Sequence, residues 1–125
     1  MQTSPLTAIG LAFFRISMSA MMLTHGLPKL QKLISSDFEF ADPISIGAAP
    51  SLFLTVIAEF ICPTLIIIGY KTRLASIPTI ITMLVAAFIV HATDPFAAKE
   101  KALLYLVAFV AIALLGPGKY SVDRK

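Results

Sequence analysis

Apolar residues fall in four blocks along the chain, at 6–23, 52–70, 74–90 and 102–115. A helix needs roughly 17–25 residues to cross the hydrocarbon core of a bilayer. The first three blocks come near that length. The fourth reaches it only by extending back through Lys99-Glu100-Lys101. The pattern predicts an all-α integral membrane bundle of four transmembrane helices, over about 6–33, 51–70, 73–92 and 97–116, in one domain covering 1–125. A soluble bundle would carry a polar face on each helix, whereas residues 103–115 are interrupted only by Tyr105. No Lys or Arg precedes the first block, and no small-residue cleavage site leads into a hydrophilic chain, so a span is expected there rather than a cleaved signal.

Turn and breaker residues punctuate the blocks. Ser35-Ser36, Asp37, Asp42-Pro43, Gly47 and Pro50 mark a loop over about 35–50. Its Phe38, Phe40, Ile44 and Ile46 suit a segment lying on the membrane surface or capping the bundle. Gly69 suits a helix C-terminus ahead of the tight turn to Arg73. Thr93 or Asp94, followed by Pro95, reads as an N-cap with proline in the first turn of the last helix. Gly116-Pro117-Gly118 ends that helix.

Composition agrees with lipid as the solvent. Hydrophobic residues make up 58% of the chain and charged ones 14%, against about 25% charged in a typical soluble domain. The net charge of +3 is scattered, with no basic run, which gives nucleic acid no footprint. The single cysteine, Cys62, excludes an intrachain disulfide and any multi-cysteine metal site. Four spans put both termini on one side with Lys71, Arg73, Lys119, Arg124 and Lys125, against Lys29, Lys32, Lys99 and Lys101 opposite. The positive-inside rule then points to cytoplasmic termini.

Few ionisable groups lie inside the spans, and they are ordered. Arg15, Met18, Met22, His25 and Lys29 recur at helical spacing and form one stripe on the first helix. Glu59 is the lone ionisable residue of the second helix, and Pro63 cannot donate to its carbonyl. At about 1.5 Å per residue, Arg15 lies about 15 Å below His25, and Glu59 about 10 Å below the same face counted from Leu52. Charges in mid-bilayer usually pair with one another, so an Arg15–Glu59 pair is expected. Its role is either to fix helix register or to line a polar cavity. His25, Lys29, His91, Glu100 and Tyr105 gather toward one membrane face, where snorkelling and helix-end compensation are the plainer reading. No metal-binding motif occurs among them.

Three stretches carry a family resemblance. LTHGLPKL ends the first helix, GYKTRLAS joins the second and third, and KEKALLYLVAFVAIALLGPGKYSVD closes the chain. Together with Glu59 they resemble the signatures of the DoxX family. The matching positions are Arg15, His25, Gly26, Lys29 and Glu59, then Arg73, Glu100, Tyr105, Gly116, Gly118 and Asp123. The resemblance implies a small four-helix inner-membrane protein. Its relatives include the DoxD subunit of thiosulfate:quinone oxidoreductases, which acts with a second subunit.

On that footing Glu59 and His25 are the candidate catalytic groups, with Arg15, Lys29, His91, Glu100 and Tyr105 as ligand-binding candidates. The expected site is a pocket floored by Arg15 and Glu59. No haem motif, CxxC or dinucleotide-binding loop is present, so a quinone or a cofactor on a redox partner subunit would carry the electrons. Two classes stay open: a quinone-linked oxidoreductase subunit, and a non-enzymatic membrane module that carries a small molecule or scaffolds a partner enzyme. Four short helices also leave lipid-facing surface for a homodimer.

Overall fold

The computed structural model describes residues 4–40 and 42–123, so Arg124 and Lys125 of the charge count lie outside the described residues. Among the described residues four helical segments follow one another: α1 (Pro5–Ile34), α2 (Ala48–Ile68), α3 (Thr72–Val90) and α4 (Phe96–Leu115). No strand occurs among the described residues. Helices α1, α2 and α3 are long and apolar enough to cross a membrane. Helix α4 carries Lys99, Glu100 and Lys101 in its first two turns, which sets it apart from the other three.

Each helix begins where local chemistry allows. Ser4 caps α1 by accepting from the Thr7 amide at 3.1 Å, and Pro5 follows at a position whose amide has no partner to lose. Helix α2 starts at Ala48, ahead of the breaker Pro50, because the first-turn amides of a helix lack intrahelical acceptors and proline is tolerated there. It ends at Gly69, whose φ of 77° lets the Tyr70 amide reach back to the Leu65 carbonyl at 2.9 Å. The expected N-cap of α4 is corrected. Asp94 is engaged by the His91 ring at 2.8 Å, and Pro95 occupies the cap position without a side-chain bond.

The loop before α2 is organised by one carboxylate. Asp42 accepts from the amides of Ile46 (2.9 Å) and Gly47 (2.8 Å) and from the Ser51 hydroxyl (3.0 Å). That knot presents Ile44 and Ile46 outward. Desolvation would raise the Asp42 pKa, but those amides and the Ser51 hydroxyl outweigh it, and the carboxyl titrates below its ordinary value. A depressed folded pKa stabilises the knot above the unfolded value of about 3.9, and that contribution is lost as pH falls through the folded value. Protection factors of the Ile46 and Gly47 amides should therefore hold down to about pH 4 and collapse below it. Protection that is flat across that range would remove Asp42 from this role.

Packing depends on a close approach between α1 and α2. The inward face of α1 runs through Ala8, Arg15, Ser19, Met22 and Gly26, all buried. A Cβ added at Gly26 would stand 2.1 Å from the Glu59 carbonyl oxygen and 2.9 Å from the Phe60 nitrogen. The obstacle is backbone, which cannot swing aside. Gly26→Ala is expected to push the helices apart, with an overpacking cost of about 1–3 kcal/mol or more. An unchanged thermal unfolding midpoint in this variant would show that α1 and α2 are not in contact there.

Helices α2 and α3 each contain a wider π-helical turn, over Ile57–Ile61 and Ala86–Val90. Such turns are rare and often sit at functional sites. In the first, the Cys62 amide bonds the Ile57 carbonyl, five residues back. Pro63 in that register leaves the Ala58 carbonyl free rather than that of Glu59. The Thr79 hydroxyl of α3 donates to it at 2.5 Å, fully buried.

Helix α4 runs from the His91 end of the bundle to the Gly69 end. There the segment after it folds back, with the Val122 amide on the Ile68 carbonyl and the Asp123 amide on the Gly69 carbonyl, both at 3.0 Å. Asp123 also accepts from the Thr72 amide at 3.2 Å and so caps α3 from across the chain.

Candidate functional site

The expected Arg15–Glu59 pair does not form. Arg15 donates to the carbonyls of Pro117, Tyr120 (2.8 Å) and Ile67 (3.2 Å), all at the end of the bundle that holds the Gly69 turn. Glu59 pairs instead with Lys29, Nζ to Oε1 at 2.5 Å. The Gly26 contact explains the exchange. It places Glu59 level with Gly26, while Arg15 lies eleven residues earlier, about 16 Å away along the axis. Lys29 is one turn beyond Gly26 and within reach. The depth estimate failed because α1 continues to Ile34 and α2 begins at Ala48. His25 and Leu52 were therefore not matching ends.

The Lys29–Glu59 pair belongs to a cavity of about 160 Å³ between the helices. Helix α1 contributes Met22, His25 and Lys29, α2 contributes Glu59, and α3 contributes Met83 and Ala86, with His91 just past its end. Helix α4 contributes Ala98, Lys101, Ala102 and Tyr105. Both π-helical turns reach this cavity, one through Glu59 and the other through Ala86. Of the residues singled out from sequence, His25, Lys29, Glu59, His91 and Tyr105 come together. Arg15 does not, so of the expected floor only Glu59 lines the cavity, paired with Lys29. Glu100 also stays outside. Lys101 and Tyr105 share a face four residues apart, and Glu100 is turned about 100° from Lys101.

Burial within the pair is unequal. The Glu59 side chain is 4% exposed and that of Lys29 is 28% exposed. The His25 ring meets Tyr105 edge-on, with centroids 5.6 Å apart, and Tyr105 stacks on the buried Phe109. Neither the His25 ring nor the Tyr105 hydroxyl makes a hydrogen bond among the described residues, although both line the cavity. At its mouth the His91–Asp94 contact adds a second ionisable pair. The arrangement offers donors and acceptors on several sides of a small space within apolar helices. Lys101 joins Tyr105 in the wall, one helical turn apart on the same face of α4.

A family model described as DoxX matches residues 10–92. The match covers α2, α3 and all of α1 from Gly10, and with them His25, Lys29, Glu59 and His91. Glu100, Tyr105 and the closing GPG stretch lie beyond it. No curated protein and no solved structure matches the chain.

Proposed function

The chain belongs to the DoxX family, and from the cavity geometry we propose that it binds a quinone headgroup, or a molecule of that size, as the membrane subunit of a redox complex. The observation that carries this reading is the Lys29–Glu59 pair facing a cavity shared with the hydrogen-bonding groups of His25 and Tyr105. Ionisable groups among apolar spans are costly and usually mark a ligand or proton route. The donor set fits a quinone. His25, Tyr105 and Lys101 can donate to carbonyl oxygens, and the Glu59 carboxylate can accept from a hydroxyl. A bound quinone would supply the two-electron chemistry, with electrons coming from a partner subunit. This chain's own residues would position the carbonyls, exclude lipid and exchange protons with the mouth at His91.

The direct test is purification in nanodiscs, extraction of the bound lipids, and titration with a benzoquinone lacking a side chain. Binding by the wild type, weakened about tenfold in His25→Phe and in Glu59→Gln, supports the reading. Wild-type protein that neither retains nor binds quinone overturns it in favour of a carrier or scaffold role.

The same proposal includes four spans in the inner membrane with both termini cytoplasmic. The full-length course of α4 along the bundle supports it, as does the basic turn Lys71–Arg73 beside the folded-back tail. The native thiol, Cys62, is buried. In a Cys62→Ala background, a cysteine at position 99 should react with an impermeant reagent added outside, and one at position 71 should not. The reverse pattern inverts the orientation.

A further inference from the structure

A cavity of about 160 Å³ falls below the roughly 300–1,000 Å³ of pockets that enclose drug-sized ligands. It can take a headgroup but not a long apolar tail. Beside it, between α1 and α4, lies a groove of about 390 Å³ lined by Met18, Met21, Ala97, Glu100, Lys101, Leu104 and Tyr105. Lys101 and Tyr105 belong to both linings, so the two spaces lie on either side of the same two side chains.

We propose that this groove seats the tail of a neutral, single-chain amphiphile whose head occupies the polar cavity, so that the ligand arrives from the bilayer and not from water. The inference rests on the cavity reading above and adds the ligand class and its route. Three observations carry it. The first is a polarity gradient along the membrane normal. Glu100 and Lys101 lie at the end of the groove nearest the membrane face. Leu104 is one turn deeper on α4, and Met21 and Met18 lie about 6 and 10 Å deeper than His25 on α1. An amphiphile with its head toward that face has the same gradient. The second is charge. The two linings together carry Lys29 and Lys101 against Glu59 and Glu100, so the formal charges balance and a neutral head is favoured over an ion. The third is surface character. Met21 and Leu104 are 47% and 62% exposed and face the lipid side, and unbranched methionine adapts to chains of varied shape.

The test uses the full chain in nanodiscs and a benzoquinone bearing a decyl chain that ends in a diazirine. After photolysis, labelled positions are mapped by peptide mass spectrometry. Saturable labelling at Met18, Met21 and Leu104 is expected, about tenfold above that at Ile81 and Leu114 on other lipid-facing surfaces. Excess benzoquinone without a tail should suppress it by evicting the head. Leu104→Trp fills the groove and should abolish the preference. Met21→Trp is a second filling variant should the first not insert. Even labelling over all apolar faces overturns the groove, as does groove labelling indifferent to both tryptophan variants and to the tailless competitor. The tailless compound also separates the two readings. If it binds and depends on Glu59 while labelling is even, the cavity reading stands and the groove falls. If it does not bind at all, both fall together.

Discussion

Replacing Arg15 with leucine is expected to release the segment after α4 from the rest of the bundle. Arg15 is 2% exposed, and its guanidinium reaches from α1 to the Ile67 carbonyl of α2 and to the Pro117 and Tyr120 carbonyls. One side chain therefore ties three stretches of chain. It does so at the end where the tail also pairs with Ile68 and Gly69 and where Asp123 caps α3. Leucine would leave three carbonyls without their donor, at about 1–3 kcal/mol for each acceptor that stays buried. The expected net loss is about 3–5 kcal/mol, since some of these carbonyls can turn toward water. Arg15→Lys should recover only part of it, because an ammonium is a point charge and cannot span diverging acceptors as a planar fork does. Limited proteolysis is the discriminating readout, with cleavage within 117–123 in Arg15→Leu and protection in the wild type. A tail that stays protected, with an unchanged unfolding midpoint, would rule out the latch. Binding in the cavity, at the other end of α1, should change little in either variant.

The same residue shows what could be read from the chain and what could not. The inward direction of Arg15 followed from helical spacing, and its burial bears that out. Its partners could not be found that way. They are backbone carbonyls, which every residue possesses, brought in by a tail far away in sequence. The register between α1 and α2 was likewise hidden. Within one helix the spacing is regular, but the offset between two helices is set by where backbones can meet, and here that place is Gly26 against Glu59. Pro63 announced a missing donor, yet the π-helical turn moved the freed carbonyl from Glu59 to Ala58. The residues that suggested the family divide accordingly. Arg15 and Asp123 belong to the latch, while His25, Gly26, Lys29, Glu59 and Tyr105 belong to the cavity end. A motif match alone gives both groups the same weight. Only the folded chain separates holding the bundle shut from lining its cavity.

Lys29→Met is expected to destabilise the protein more than Glu59→Gln, although the two substitutions remove the same ion pair. The difference comes from where each partner can go alone. Lys29 is already 28% exposed near the membrane face, and a freed ammonium can extend its stem and snorkel toward water. Glu59 is 4% exposed on a short stem, pressed against α1 through its own carbonyl, and has no such exit. Removing the lysine therefore strands a buried carboxylate, for which loss of a partner costs about 3–5 kcal/mol. Removing the carboxylate should cost about 1 kcal/mol, the net worth of the hydrogen bond given up. The double variant should regain about 1–2 kcal/mol of the loss of Lys29→Met, with a coupling of about 2–3 kcal/mol, as adjacent partners in one network show. Thermal or denaturant unfolding of all four proteins in the same lipid closes the cycle. Equal losses in the two single variants would overturn the unequal exits of the two side chains, and additive effects in the double would mean that Lys29 and Glu59 do not depend on each other. The cycle also bears on the cavity. If Glu59→Gln stays nearly as stable as the wild type yet no longer binds the tailless benzoquinone, the carboxylate is there for the ligand, and Lys29 is the counter-charge that keeps it buried until one arrives.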